Sequence, residues 1–102
     1  MVEARMCQVY AGQAPETYEP VTRRIRLNGH STSIRLESSF WRILDDMARR
    51  EGMTTPAFVS RLHDEVMELR GETRNFASLL RCACVIHASR GDARPAWAMA
   101  AE

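Results

Sequence analysis

The sequence contains no lysine: all fourteen basic residues are arginine, whose planar guanidinium can grip a phosphate or a guanine edge with two bonds at once. Long apolar runs are missing as well. No stretch of about 18 apolar residues occurs, and Glu3, Arg5, Gln8 and Gln13 interrupt the apolar letters of the opening segment. The expectation is neither a membrane helix nor a secretory signal, and a cytoplasmic location. Glycine is sparse, at five residues, and none of these builds a phosphate-cradling loop. Cysteine is sparse and odd in number; Cys7, Cys82 and Cys84 suit free thiols in a reducing compartment better than a disulfide framework. With 102 residues the chain holds one small domain at most, which excludes a multi-domain enzyme.

Catalytic and metal chemistry is equally thin. Cys82, Cys84 and His87 resemble a fragment of a metal site, but positions two apart lie on different faces of a helix, and the spacing supplies no fourth ligand. His30, His63 and His87 have no serine or cysteine in a triad arrangement. Asp45, Asp46, Asp64, Glu65 and Glu68 read as solvated helix faces. The expectation is no enzyme, no cofactor and no metal.

What is present is a concentrated positive charge in an ordinary globular composition, 45% apolar and 26% charged. The formal charge is only +1, yet residues 22–36 carry Arg23, Arg24, Arg26 and Arg35 and no carboxylate. The same stretch alternates with period two on either side of Asn28-Gly29, the strongest short hairpin signal, because both turn positions need positive φ. A two-residue turn pairs Leu27 with His30, Ile25 with Thr32 and Arg24 with Ser33. Ile25, Leu27, Thr32, Ile34 and Leu36 then share one side, and Arg24, Arg26, Ser31, Ser33 and Arg35 the other. Arg23 falls on the apolar side as the one misfit.

Three helices follow. The first, about Ser38 to Glu51, is capped by Glu37 or Ser38, carries a stripe of Phe40, Ile43, Leu44, Met47 and Ala48, and ends at Gly52. The second starts at Thr54 or Thr55 with Pro56 in its first turn, repeats Phe58, Val59, Leu62, Val66 and Leu69, and stops at Gly71. The third, about Arg74 to Ala88, carries Phe76, Leu79, Leu80, Ala83 and Ile86, with Thr73 or Asn75 as cap. Residues 1–21 and 91–102, the latter with Trp97, lack sustained periodicity and read as flexible tails around a domain at 22–90. The fold expected is mainly α with a β hairpin or ribbon. An unpaired strand edge at 31–36, and an apolar hairpin face larger than one protomer can cover, point to an obligate homodimer.

The order of these elements resembles the ribbon-helix-helix family of DNA-binding proteins, to which the Arc and methionine repressors belong. NGHSTSIRLESSFWRILDDMARREGMTTPAFV is similar to a subgroup with an Asn-Gly-His turn, and RNFASLLR to that subgroup's third helix. The resemblance covers about residues 24–84. It implies an intertwined homodimer, able to assemble further on DNA, whose strand 31–36 pairs with its twofold mate and inserts into the major groove of double-stranded DNA as a ribbon. It implies base contacts from Ser31, Ser33 and Arg35 and a dimer core of Thr32, Ile34, Leu36, Phe40, Phe58 and Leu62. Phosphate contacts fall to Arg24, Arg26 and the helix start at Thr54 and Thr55, where Pro56 removes one N–H. Width poses an objection. Four strands at about 4.8 Å spread the outer axes roughly 14 Å apart, against a groove about 12 Å wide. Either the 22–27 strand rides over the phosphates, or it peels away, or the face binds something else. The competing function is a dimeric protein-interaction adaptor that keeps the fold without duplex binding and recruits a partner through the third helix or the tails.

Overall fold

The computed structural model of the protein describes residues 8–90; Cys7 with the first residues of the expected N-terminal tail, and the whole expected C-terminal tail with Trp97, lie outside the described residues. Strand β1 (Pro20–Leu27) and strand β2 (His30–Glu37) form a two-stranded antiparallel sheet. The turn between them carries Asn28 at φ 54° and Gly29 at φ 84°, the geometry of the tightest hairpin loop. Its register follows: Leu27 lies opposite His30, Ile25 opposite Thr32, Arg24 opposite Ser33, and pairing continues to Pro20 opposite Glu37.

β1 therefore begins two residues earlier than expected, inside the segment read as a tail. The reason is tertiary. Val21 sits opposite Leu36, its carbonyl accepts the Trp41 Nε1–H at 2.8 Å, and the Ser38 N–H donates to the Glu19 carbonyl at 2.8 Å. Further back, Pro15–Thr17 forms a 3-10 turn tied to the helix start by the Ser38 and Ser39 hydroxyls, which donate to the Glu16 and Thr17 carbonyls.

Helix α1 (Ser38–Arg50) follows β2 without a loop. Glu37 holds its N-cap position but supplies no side-chain cap, because its carboxylate turns to Arg81. The helix closes as the sequence indicates. Gly52 at φ 70° lets its N–H reach the Arg49 carbonyl and the Met53 N–H reach the Ala48 carbonyl, two bonds that satisfy otherwise orphaned acceptors. Helix α2 (Thr55–Arg70) is capped by Thr54, whose hydroxyl accepts from the Ala57 N–H at 3.3 Å, and ends at Gly71 in the left-handed conformation. Helix α3 (Phe76–Arg90) starts two residues later than expected, after Asn75 at φ 59°, whose carbonyl accepts the first helical bond from Leu79.

The core lies between the apolar hairpin face and the three helices: Ile25, Leu27, Ile34, Leu36, Trp41, Leu44, Val59, Leu80 and Cys84. Two stripes are rotated from the expected ones. On α1 the buried line is Trp41, Leu44 and Ala48, while Phe40, Ile43 and Met47 are half-buried. On α3 it is Leu80 and Cys84, and Ile86, expected on the inner face, is 54% exposed. On α2 Val59 is fully buried, but Leu69, the expected end of its stripe, is exposed.

One expectation is corrected here. The hairpin face of Ile25, Leu27, Ile34 and Leu36 is no more than 6% exposed within a single protomer. The chain's own helices cover it, so this face gives no argument for a second copy.

Candidate nucleic-acid interface

The opposite face of the sheet is bare. Thr22, Arg24, Arg26, Ser31, Ser33 and Arg35 are all exposed. Register arranges them as a checkerboard: Thr22 lies opposite Arg35, Arg24 opposite Ser33 and Arg26 opposite Ser31. Each arginine thus faces a hydroxyl, and no two like charges sit directly opposite, where they would destabilise the sheet. Arg24 and Arg35 have no ion pair among the described residues, and Arg26 donates at 3.4 Å to the Gly29 carbonyl of the turn. Three guanidiniums and three hydroxyls therefore stand ready for an external acceptor. The residues expected to touch bases, Ser31, Ser33 and Arg35, occupy alternate positions on β2, with Arg24 and Arg26 beside them on β1.

The free edge of β2 adjoins this face. Backbone donors and acceptors alternate between the two sides of an antiparallel strand. Since Leu27 and His30 close the two-residue turn, the even-numbered residues of β2 bond to β1, and the N–H and C=O groups of Ser31, Ser33 and Arg35 point outward. Beneath this edge lies a recess of about 640 Å³ walled by Thr32, Ile34, His63 and Phe76 among others. His63 packs edge-on against Phe76 with ring centroids 5.0 Å apart, and its buried Nδ1 has no hydrogen-bond partner. Of the residues expected in a dimer core, Ile34 and Leu36 are buried inside the protomer, while Thr32, Phe40, Phe58 and Leu62 remain half-buried.

The start of α2 is less available than its sequence suggests. The Thr55 hydroxyl donates to Asp45 Oδ1 at 2.6 Å, the Thr54 hydroxyl is spent on Ala57, the Phe58 N–H is bonded to the Thr54 carbonyl, and Pro56 has no N–H. Among first-turn donors these bonds leave the Thr55 N–H alone, and the Asp45 carboxylate beside it disfavours a further anion. A separate open groove, between the hairpin turn and the early turns of α2, is lined by Arg26, Asn28, Gly29, Pro56, Ala57 and Ser60 with Asp64, and not by Thr54 or Thr55.

Asp45 and Asp46 are corrections to the solvated-face expectation. Arg23, the misfit on the apolar side, donates to both oxygens of Asp45 at 2.9 and 3.1 Å. That bond is the foremost cause holding the Asp45 carboxyl below its ordinary range. Asp46 accepts from Arg49 and Arg50 and lies 3.1 Å from His87 Nε2, the foremost cause of its own lowered pKa. The available signal was the period-two pattern, which places Arg23 on the core side and calls for an acid partner beside it. Arg81, which bonds the end of β2, carried no sequence signal at all. Cys82 is exposed and Cys84 buried, with no group of three or more His, Cys, Asp or Glu side chains placed to hold a metal among the described residues. No helix of the described residues is long and apolar enough to cross a membrane.

Comparison with known proteins agrees with this geometry. A family model for a ribbon-helix-helix domain matches residues 20–88. A solved structure of an uncharacterized protein from Bordetella pertussis Tohama I superposes with a TM-score of 0.80 at 38% identity, covering 82% of this chain and 67% of that one. No curated protein matches the chain.

Proposed function

The chain belongs to the ribbon-helix-helix domain family, and on that premise we propose that it is a cytoplasmic, dimeric, sequence-specific DNA-binding transcriptional regulator. Members of the family are typically DNA-binding regulators rather than enzymes. The observation that carries the proposal is the exposed checkerboard of Arg24, Arg26, Arg35 and hydroxyl side chains beside the open edge of β2. In this reading two copies of β2 pair across the edge. The recess beneath it receives inward side chains of the partner strand, and Ser31, Ser33 and Arg35 of both copies face base edges. Serine hydroxyls suit either donor or acceptor edges, and arginine suits guanine O6 and N7.

The width of the sheet supports a role for β1 outside the groove. β1 pairs with β2 along its whole length, which gives no support to peeling, so a dimer would present four strands. Two central strands about 5 Å apart fit a groove about 12 Å wide. The outer strands then overlie its phosphate walls, where Arg24 and Arg26 supply charge without reading sequence. Thr54 and Thr55 are weak phosphate ligands in this scheme, because their hydroxyls are already bonded and Asp45 stands beside them.

A second reading, a protein-interaction adaptor of the same fold, draws support from Leu69, Val85 and Ile86, apolar side chains more than half exposed on α2 and α3. Fluorescence anisotropy of a random duplex at two salt concentrations separates the two. Binding that weakens steeply with salt supports the regulator, because arginines displace counterions from phosphates. Absence of a salt-sensitive shift, with a retained protein partner, supports the adaptor.

A further inference from the structure

We propose that Arg81 is a positioning residue for Arg35: reaching from α3, it fixes the end of β2 so that the Arg35 side chain meets a base edge at a set angle. The assignment rests on the DNA-reading function proposed above, and it gives the third helix a part in recognition.

Arg81 is mounted on a firm base. It follows Leu80 and stands three residues before Cys84, both fully buried, so the backbone carrying its guanidinium is anchored in the core. From there Nε donates to Glu37 Oε1 at 3.0 Å and Nη2 donates to the Arg35 carbonyl at 3.4 Å. These two acceptors flank Leu36, which is 0% exposed. The three residues closing β2 are therefore held from both sides, the middle one by burial and the outer two by one planar fork. The direction in which a strand side chain leaves its backbone follows from that backbone. Arg35 has no ion pair within 4 Å among the described residues, and the Glu37 carboxylate that attracts it is bonded to Arg81.

Charge points the same way. Glu37 closes β2 on the reading face, where an unpaired carboxylate would repel DNA. A backbone hydrogen bond first, and then the Arg81 guanidinium, hold that carboxyl below its ordinary range, so near neutral pH it is ionised and paired. The Arg35 carbonyl belongs to the outward set of β2 and has two acceptor lone pairs, so Arg81 takes one and leaves the other for a partner strand. Arg81 and Glu37 are 35% and 39% exposed, and a pair so exposed contributes little to global stability. Its substitution leaves a folded protein whose recognition can be measured.

The test selects a duplex from a randomised pool with the parent protein. Affinities for that duplex and for a scrambled one are then measured at two salt concentrations for the parent, Arg81→Lys and Arg81→Ala. Arg81→Ala is expected to lower the selected-to-scrambled ratio about 2- to 30-fold, the range for residues that act on a site through others, with scrambled-duplex affinity and salt slope unchanged. Arg81→Lys falls between, since an ammonium lacks the rigid fork that spans both acceptors. In the free protein, nuclear magnetic resonance should show the Glu37 carboxyl of Arg81→Ala titrating at higher pH and faster amide exchange at Leu36. An unchanged ratio in a parent that discriminates, an unmoved Glu37 titration, or a salt slope lowered by about one, the mark of a direct phosphate contact, would each overturn the assignment. A parent that selects no sequence overturns DNA reading itself and this assignment with it. That outcome is distinct, because in the others the parent discriminates.

Discussion

The guanidinium of Arg23 lies 4.5 Å from the centroid of the Trp41 ring. Held there, it also grips Asp45 with two bonds, so the one charge on the apolar side of the hairpin ties β1 to α1. Arg23 and Asp45 are each more than a third exposed, so solvent screens the pair and its contribution is modest. Arg23→Met should cost about 1 kcal/mol at neutral pH, the sum of a cation–π contact and a screened ion pair. Asp45 has a lowered folded-state pKa, so its contribution is present above the unfolded carboxylate pKa and is lost as pH falls through the lower folded value. Urea denaturation of parent and variant should therefore differ most near pH 7, and the difference should narrow to the cation–π share when Asp45 is protonated. A gap of equal size at both ends of that range would mean that the ion pair contributes nothing.

Arg35 and the β1 arginines should fail in different ways. Arg35→Ala should lose about 1–3 kcal/mol of discrimination at the base pair it reads. Twofold symmetry repeats that loss on a palindromic site. Arg24→Ala with Arg26→Ala should weaken all sequences alike and lower the salt slope by about one for each phosphate that is no longer neutralised. Titration of a selected and a random duplex measures both, and an Arg35→Ala protein with unaltered sequence preference would remove Arg35 from the reader set.

The open edge of β2 makes the proposed dimer testable without disturbing the protomer. The Ser33 N–H points away from β1 by the alternation of the ladder, so Ser33→Pro removes only an outward donor, the position at which an edge strand tolerates proline. Ile34→Pro removes a donor shared with β1 and should unfold the hairpin. Ser33→Pro should retain helix content while light scattering shows the monomer mass and stability no longer rises with protein concentration. Dimers that persist in Ser33→Pro would place the twofold contact elsewhere.

Cys84 reports on the packing of α3. Its thiol is fully buried, and burial pushes its pKa up to about 11. In a Cys7→Ala background, a thiol reagent near pH 8 should modify Cys82 and leave Cys84 unreacted until the protein unfolds. Leu80→Ala should cost about 2–5 kcal/mol and speed the labelling of Cys84, because it opens a void in the wall the two side chains share. Equal labelling of both thiols in the native protein would mean that α3 does not dock.

Local rules make much of this protein legible in its sequence. Asn28-Gly29 demands a turn with two positive φ angles. Period two then decides which hairpin residues face inward, and Thr54, Pro56, Gly52 and Gly71 mark helix ends, because each of these constraints acts within a few residues. The exposed arginine and hydroxyl face is legible for the same reason, since register sorts Arg24, Arg26, Ser31, Ser33 and Arg35 to one side whatever packs on the other.

Tertiary structure decided what depends on neighbours distant in sequence. Periodicity put Phe40 on the inner line of α1, but Trp41 lies innermost, where the Val21 carbonyl receives its indole N–H. At the start of α2 the Thr55 hydroxyl is spent on Asp45, a bond made across ten residues of chain that spacing does not announce. Arg81 reaches Glu37 across forty-four, a separation at which sequence spacing carries no information about contact. Whether one protomer could cover the hairpin face turned on how three helices close over it, a question of packing volume that periodicity does not address.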